Sequence, residues 1–102
     1  MNVEEKMEMV RDMVSEFMVE NDNLIPIQYR LNPEDISHIK NIAKSILCTK
    51  WKVGYHGGSF VQAIVDNDLN GAYSRADSVN RDCILFYVSM MRNVGKPLCF
   101  LD

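Results

Sequence analysis

The sequence has no Cys-x-x-Cys pair, and neither of its two histidines lies at a metal-ligand spacing from its three cysteines. It has no apolar run near the ~20 residues that cross a bilayer. Its net charge of −3 provides no general cationic surface, which argues against nucleic acid as a partner. From these absences we expect no metal, no cofactor and no membrane association, and we expect reduced, mostly buried cysteines in the cytoplasm.

The start of the chain, MNVEEKMEMV, carries acidic side chains where a secretory signal carries lysines. The length of 102 residues falls in the size range of one domain. Hydrophobic residues make up 47% of the chain and charged residues 25%, which is typical of a globular protein. We therefore expect a cytoplasmic protein with a single domain over residues 1–102.

Apolar residues recur at steps of three and four in four segments, which indicates amphipathic helices. The segments cover about residues 2–21, 33–49, 59–65 and 69–93. Between the second and third, a very short strand near 51–53 is compatible with the sequence. Four helices with short connectors predict an all-α domain, a compact bundle.

The helix boundaries have recognisable signals. Asn32 is placed to cap the second helix, with Pro33 at its first position, and Asp68 is placed to cap the fourth. Gly95 fits the end of that last helix. The inward positions expected along it are Leu69, Ala72, Tyr73, Ala76, Val79 or Asn80, Cys83, Phe86 or Tyr87, and Met90.

The stretch YHGGSF, residues 55 to 60, raises three interpretations. A catalytic serine elbow would need glycine on both sides of the serine, and Phe60 and Val61 follow it instead. A triad would also need an acid to orient the histidine, and no spacing places one. We therefore predict no catalytic residues and no enzyme. Two glycines before a helix start can instead expose amides to a phosphate, although a plain helix start is the preferred interpretation. The candidate ligand-binding residues are Trp51, Tyr55, His56, Gly57, Gly58, Ser59 and Arg75.

Five of the seven methionines fall within the first 18 residues, and methionine is frequent at surfaces that accept partners. Lysines cluster on the outer side of the second helix and just after it. The simpler interpretation is that the methionines fill the core and that the lysines form a solvated helix face. The more specific interpretation is a partner-binding surface, with an acidic partner or a phosphate bound by the lysines. An exposed apolar face on the first helix would also favour a homodimer. The candidate partner-binding residues are Met7, Met9, Met13, Lys44, Lys50 and Lys52.

The stretch NDLNGAYSRADSVNRD, residues 67 to 82, is rich in polar groups. We interpret these first as a structural network, in which a buried Arg75 bonds Asp68 or a helix end. Asp77 and Arg81 have the i, i+4 spacing and can pair on the surface. A recognition patch is the second interpretation.

The pattern G-x-F-x-x-A-x-x-x-N-D-L-x-x-A-x-x-R-A-D-x-x-N runs from Gly58 to Asn80. It resembles a family of short uncharacterised proteins encoded by phages and prophages, and the likeness covers about residues 24 to 92. The resemblance implies a phage-type accessory protein in the host cytoplasm. Such proteins often bind host machinery, including defence systems.

Two functions follow from these observations. The first is non-catalytic binding that modulates or inhibits a host protein. The alternative is capture of a small molecule or nucleotide by the Gly57-Gly58-Ser59 helix start, with Trp51 or Tyr55 stacked on a base. A nucleic-acid regulator is disfavoured by the net charge.

Overall fold

The computed structural model describes residues 1–54 and 56–101, and most of these lie in helices joined by short connectors. The all-α class is confirmed, but the prediction of about four helices was too low. No strand occurs among the described residues. The described residues form seven α-helices: α1 (Val3–Glu20), α2 (Ile27–Arg30), α3 (Pro33–Trp51), α4 (Ser59–Val65), α5 (Leu69–Arg75), α6 (Ser78–Asp82) and α7 (Ile84–Asn93). In addition, 3-10 turns lie at Asp22–Leu24 and Leu98–Phe100.

Helix α1 begins with a reciprocal cap. The side chain of Asn2 accepts a hydrogen bond from the Glu5 amide at 2.8 Å, and the Glu5 carboxylate accepts one from the Asn2 amide at 3.3 Å. These bonds satisfy two amides that a helix start leaves free. The buried face of the helix consists of Val10, Val14, Phe17 and Met18.

Helix α3 begins as predicted, since the Asn32 side chain accepts from the amides of Glu34 and Asp35. The C-terminal end of α3 lies beyond the predicted end near residue 49. Trp51 belongs to the last turn, Lys52 adopts a left-handed conformation at φ 57°, and the Val53 amide donates to the Cys48 carbonyl at 2.8 Å. The strand near 51–53 was a wrong prediction because these residues form the helix terminus.

The predicted long final helix is three helices. Ala76 is extended (φ −81°, ψ 143°), and the Asp77 side chain caps α6 by accepting from the Asn80 amide at 2.7 Å. An aspartate that bonds a nearby amide competes with the helix in which it would otherwise continue. Leu69 and Tyr73, expected to point inward along an unbroken helix, are 57% and 58% exposed.

The turn between α4 and α5 uses a left-handed residue. Asn67 has φ 60°, its amide donates to Ile64, and the Asp68 amide donates to Ala63 at 2.8 Å. This pair of bonds ends α4 as a Schellman motif, in which asparagine replaces the usual glycine. The reversal places the Asp68 side chain to cap α5 through the Gly71 amide at 2.9 Å.

The buried side chains form one apolar cluster, with a radius of gyration for the whole chain of 13.0 Å. Phe86 and Tyr87 are both fully buried, so the two alternatives expected for that position are both inward. Phe86 contacts Phe17 of α1, and Tyr87 contacts Phe60 of α4. The apolar tail folds back, since Phe100 is buried and meets Trp51 edge-on with ring centroids 6.0 Å apart.

Candidate functional site

The two adjacent glycines between α3 and α4, Gly57 and Gly58, have different roles. The Gly57 amide donates to the Thr49 hydroxyl at 2.9 Å, and its carbonyl accepts from the Gln62 side chain at 2.8 Å. A Cβ at Gly57 would collide with Val61 and with the Ser45 hydroxyl, whereas one at Gly58 would meet open space. Gly57 is therefore a packing glycine whose amide is already bonded within the fold, and Gly58 caps α4.

The other predicted ligand-binding residues do not share one pocket. Trp51 is 7% exposed and packs on Phe100, which leaves its ring unavailable for stacking on a base. Arg75 lies beside Asp68, with 3.8 Å between Nη1 and Oδ2. His56 lines a surface pocket of about 360 Å³ with Lys52, and Ser59 is exposed at the start of α4.

Tyr55 lies outside the described residues. No hydrogen bond joins His56 to Ser59 in the part of the chain that is described. No group of three or more histidine, cysteine, aspartate or glutamate side chains could hold a metal ion among residues 1–54 and 56–101.

The polar residues of the segment from residue 58 to 80 are bonded within the fold. Asp68 and Asp77 cap helices, and Asn67 supplies the left-handed turn. Asn80 is buried, and its Oδ1 accepts from the Tyr87 hydroxyl at 2.9 Å. Burial raises the pKa of Tyr87, so this hydroxyl stays protonated and can donate. The interpretation of this stretch as a structural network agrees with these contacts, except that Arg81 lies over the ring of Tyr73 and does not pair with Asp77.

A second polar cluster joins α6 and its N-terminal cap to α2 and α3. The Tyr29 hydroxyl donates to Asp82 Oδ2 at 2.5 Å, and His38 Nε2 lies 3.2 Å from Asp77 Oδ2. The hydrogen bond to Asp82 is the main cause that raises the pKa of Tyr29 to about 12. Burial raises the pKa of the neighbouring Cys83 thiol to about 12. A thiol with so high a pKa is a poor nucleophile at neutral pH.

The predicted partner-binding residues divide between two kinds of environment. Met7, Met9 and Met13 are half-buried against the core. Lys50 donates to the Met91 carbonyl at 2.8 Å, and Lys52 lines the pocket beside His56. Lys44 belongs instead to a groove between α1 and α3, and Met7 lies at one end of the same groove.

This α1–α3 groove runs along two antiparallel helices, since Met7 and Lys44 line one end of it and Val19 and Ile36 line the other. The twelve residue steps from Met7 to Val19 correspond to about 18 Å of helix. The central part has a volume of about 300 Å³. Its lining residues are Arg11, Ser15, Ser37, Lys40, Asn41 and Lys44.

The two ends of the groove differ in chemistry. Glu4, Glu5 and Glu8 border the end near Met7. The opposite end is lined by the apolar side chains of Met18, Val19 and Ile36 together with Ser15, Asp22, Arg30 and Lys40. The groove therefore passes from an acidic end, through a cationic centre, to a largely apolar end.

The three cations of the centre have no hydrogen-bond or ion-pair partner among the residues that the structure describes. Arg11, Lys40 and Lys44 form no ion pair and donate no hydrogen bond within the described portion of the chain. Lys40 and Lys44 stand one turn apart on α3, where like charges repel by a few tenths of a kcal/mol. The sequence showed lysines on this side of α3, but Arg11 joins them only through the antiparallel register of α1 and α3.

No protein-family model, no curated protein and no solved structure matches this chain. Among the described residues, no helix is both long enough and apolar enough to span a membrane. The geometry of the groove is therefore the main guide to function.

Proposed function

We propose that the protein is a phage-type accessory protein that binds a host protein without catalysis, and that an acidic segment of that partner occupies the α1–α3 groove. The single observation that carries the proposal is the set of three cations in the groove centre that have no partner within residues 1–54 and 56–101, in a chain whose net charge is −3. Complementary charge is what an acidic segment would supply there.

The groove also offers apolar contact at one end. Met18 is buried, Val19 is exposed and Ile36 is half-buried, and all three line the groove beyond Lys40. Methionine adapts to partners of different shape, and apolar contacts provide much of the affinity of protein interfaces. A segment that combines carboxylates with a few large apolar side chains fits both parts.

The charges are expected to set specificity and association rate more than affinity. An exposed ion pair contributes only ~0.2–1 kcal/mol, so three of them add up to a modest total. Rim charges act mainly on the association rate, which falls as the salt concentration rises. Binding should therefore be faster at low salt, while the apolar end governs the dissociation rate.

The test is affinity capture from bacterial lysate with the wild-type protein, the groove variant Lys40→Glu/Lys44→Glu and the matched control Lys96→Glu. Lys96 is exposed and lines none of the three parts of the groove. We expect one stoichiometric partner, retained by the control and lost by the groove variant. Absence of any such partner, or equal loss with the control, would contradict the proposal.

The non-catalytic part of the proposal has its own test. Turnover of a substrate by the purified protein, abolished by His56→Ala or Ser59→Ala in a folded variant, would show that the protein is an enzyme. We expect no such turnover, because no hydrogen bond links these two side chains and the described residues supply no acid to orient the histidine.

A further inference from the structure

We propose that the centre of the α1–α3 groove is an oxyanion subsite that binds a phosphate group. The proposal rests on the use of this groove in the proposed function, and it names the chemical group that the groove centre recognises. It concerns the pocket of about 300 Å³ between α1 and α3.

The lining of this subsite is made of donors. Arg11, Lys40 and Lys44 contribute three positive charges, and the remaining lining residues are two serines and an asparagine. None of the described residues that line this part is a carboxylate, but Glu4, Glu5 and Glu8 line the adjoining pocket together with Arg11 and Lys44. A site with cations and hydroxyl or amide donors is suited to an oxyanion.

Charge and geometry favour phosphate over carboxylate. A single carboxylate carries one negative charge and would leave two of the three cations uncompensated. A phosphate monoester carries about −1.5 to −2 charges at neutral pH and has three strong acceptor oxygens. Arg11 can bind two of these oxygens through its planar guanidinium, and each lysine can bind as a point charge.

The two helices hold the donors on opposite walls. Arg11 and Ser15 are one turn apart on α1, and Lys40 and Lys44 are one turn apart on α3. Residues at this spacing share a helix face. Lys40, Lys44 and Ser15 are half-buried, so their side chains have less conformational freedom to lose when a ligand binds.

The test is a titration of the ¹⁵N-labelled full chain with inorganic phosphate at constant ionic strength, followed by two-dimensional NMR. We expect saturable shifts of the amides near Arg11, Ser15, Lys40 and Lys44. Lys40→Met should weaken binding by about tenfold, the loss expected for one charge-assisted hydrogen bond. The control Lys96→Met should bind as the wild type does. Shifts that do not saturate, that chloride reproduces, or that Lys40→Met leaves unchanged would overturn the subsite.

Two further ligands distinguish the source of the phosphate. Adenosine monophosphate and O-phosphoserine both carry the group, and binding of either at the same amides, with the same sensitivity to Lys40→Met, supports the subsite. Tighter binding of adenosine monophosphate points to a nucleotide, and tighter binding of O-phosphoserine points to a phosphorylated protein side chain. Binding of both compounds only at other amides would overturn the proposal.

The outcomes separate this inference from the proposed function. If a host partner is captured through the groove but phosphate does not bind, the subsite is refuted and the partner is held by carboxylates. If phosphate binds at the groove but no partner is captured, the subsite stands and the proposed function fails.

Discussion

The polar residues of the segment from residue 58 to 80 and those of the α1–α3 groove differ in what they contact. In the first region Asp68, Asp77 and Asn80 all bond groups of the fold itself. In the groove Arg11 and Lys40 bond none that the structure describes. Polar groups that are satisfied internally maintain the structure, whereas cations held together without a partner are available to a ligand.

The comparison shows that the most distinctive sequence pattern does not coincide with the surface available to a ligand. The segment from residue 58 to 80 is the most distinctive part of the sequence, but most of its patterned residues cap helices, turn the backbone or fill the core. The groove has no motif at all. The experiments below test whether the first region governs stability and the second does not.

The largest loss of stability is expected when Asn80 is replaced. Replacing it with alanine removes the buried acceptor of the Tyr87 hydroxyl and leaves a small cavity. We expect Asn80→Ala to lower the free energy of unfolding by about 2–4 kcal/mol, measured by urea denaturation.

The matched variant is Tyr87→Phe, which removes the donor of the same bond. The effects of the two substitutions should be less than additive in the double variant, since each removes the same hydrogen bond. Full additivity would show that the bond contributes nothing and that Asn80 acts only through its volume.

The next largest loss of stability is expected when Gly57 is replaced by alanine. Gly57→Ala forces a Cβ against Val61 and Ser45, and we expect a loss of roughly 1–3 kcal/mol in the free energy of unfolding. Gly58→Ala places its Cβ in open space and should change stability by less than about 0.5 kcal/mol. Thermal denaturation of the two variants measures the difference. Equal losses would mean that the close packing around Gly57 relaxes readily.

A pH-dependent effect is expected from Tyr29. The hydrogen bond to Asp82 raises the pKa of its hydroxyl from 10.0 to about 12 in the folded protein. The folded state therefore favours the protonated phenol, and this contribution is complete below pH 10 and is lost as the pH rises from 10 to 12. Tyr29→Phe should show a shallower loss of thermal stability across that interval than Tyr73→Phe, which keeps the bond to Asp82. Identical pH profiles would show that the bond does not form in solution.

The smallest effect is expected in the groove. Lys40→Met removes repulsion with Lys44 and breaks no bond, so the free energy of unfolding should stay constant or rise by about 0.2–0.5 kcal/mol. Urea denaturation at low salt measures it, with Lys96→Met as the control. A loss above 1 kcal/mol would place Lys40 among the structural residues and would remove the contrast between the two regions.

The sequence predicted the local features well where one signal dominated. The cap at Asn32 with Pro33 after it, the apolar face of α1 and the turn before α5 follow from side chains that act within a few residues. The break at Asp77 was missed because the helical period of apolar residues continues through it. Its own side chain bonds the Asn80 amide, and that local bond prevails over the period.

The groove could be predicted only in part. Lys40 and Lys44 share a face of α3 by their spacing, and the sequence therefore indicates a basic strip there. Arg11 and Ser15 join them through the pairing of α1 with α3, which involves residues about 30 positions apart in the chain. No local pattern fixes the register of that pairing, because it depends on how two buried faces pack.

The antiparallel pairing of α1 and α3 also gives the groove a direction. Carboxylates border the end near Met7, cations line the centre, and apolar side chains dominate the end near Val19. If an acidic segment binds there as proposed, its carboxylates would face the central cations and its apolar residues would face Ile36, which favours one orientation along the groove. The same segment with its residues in reverse order would bring apolar side chains near glutamates, so its binding would depend on the order of its residues as well as on their composition.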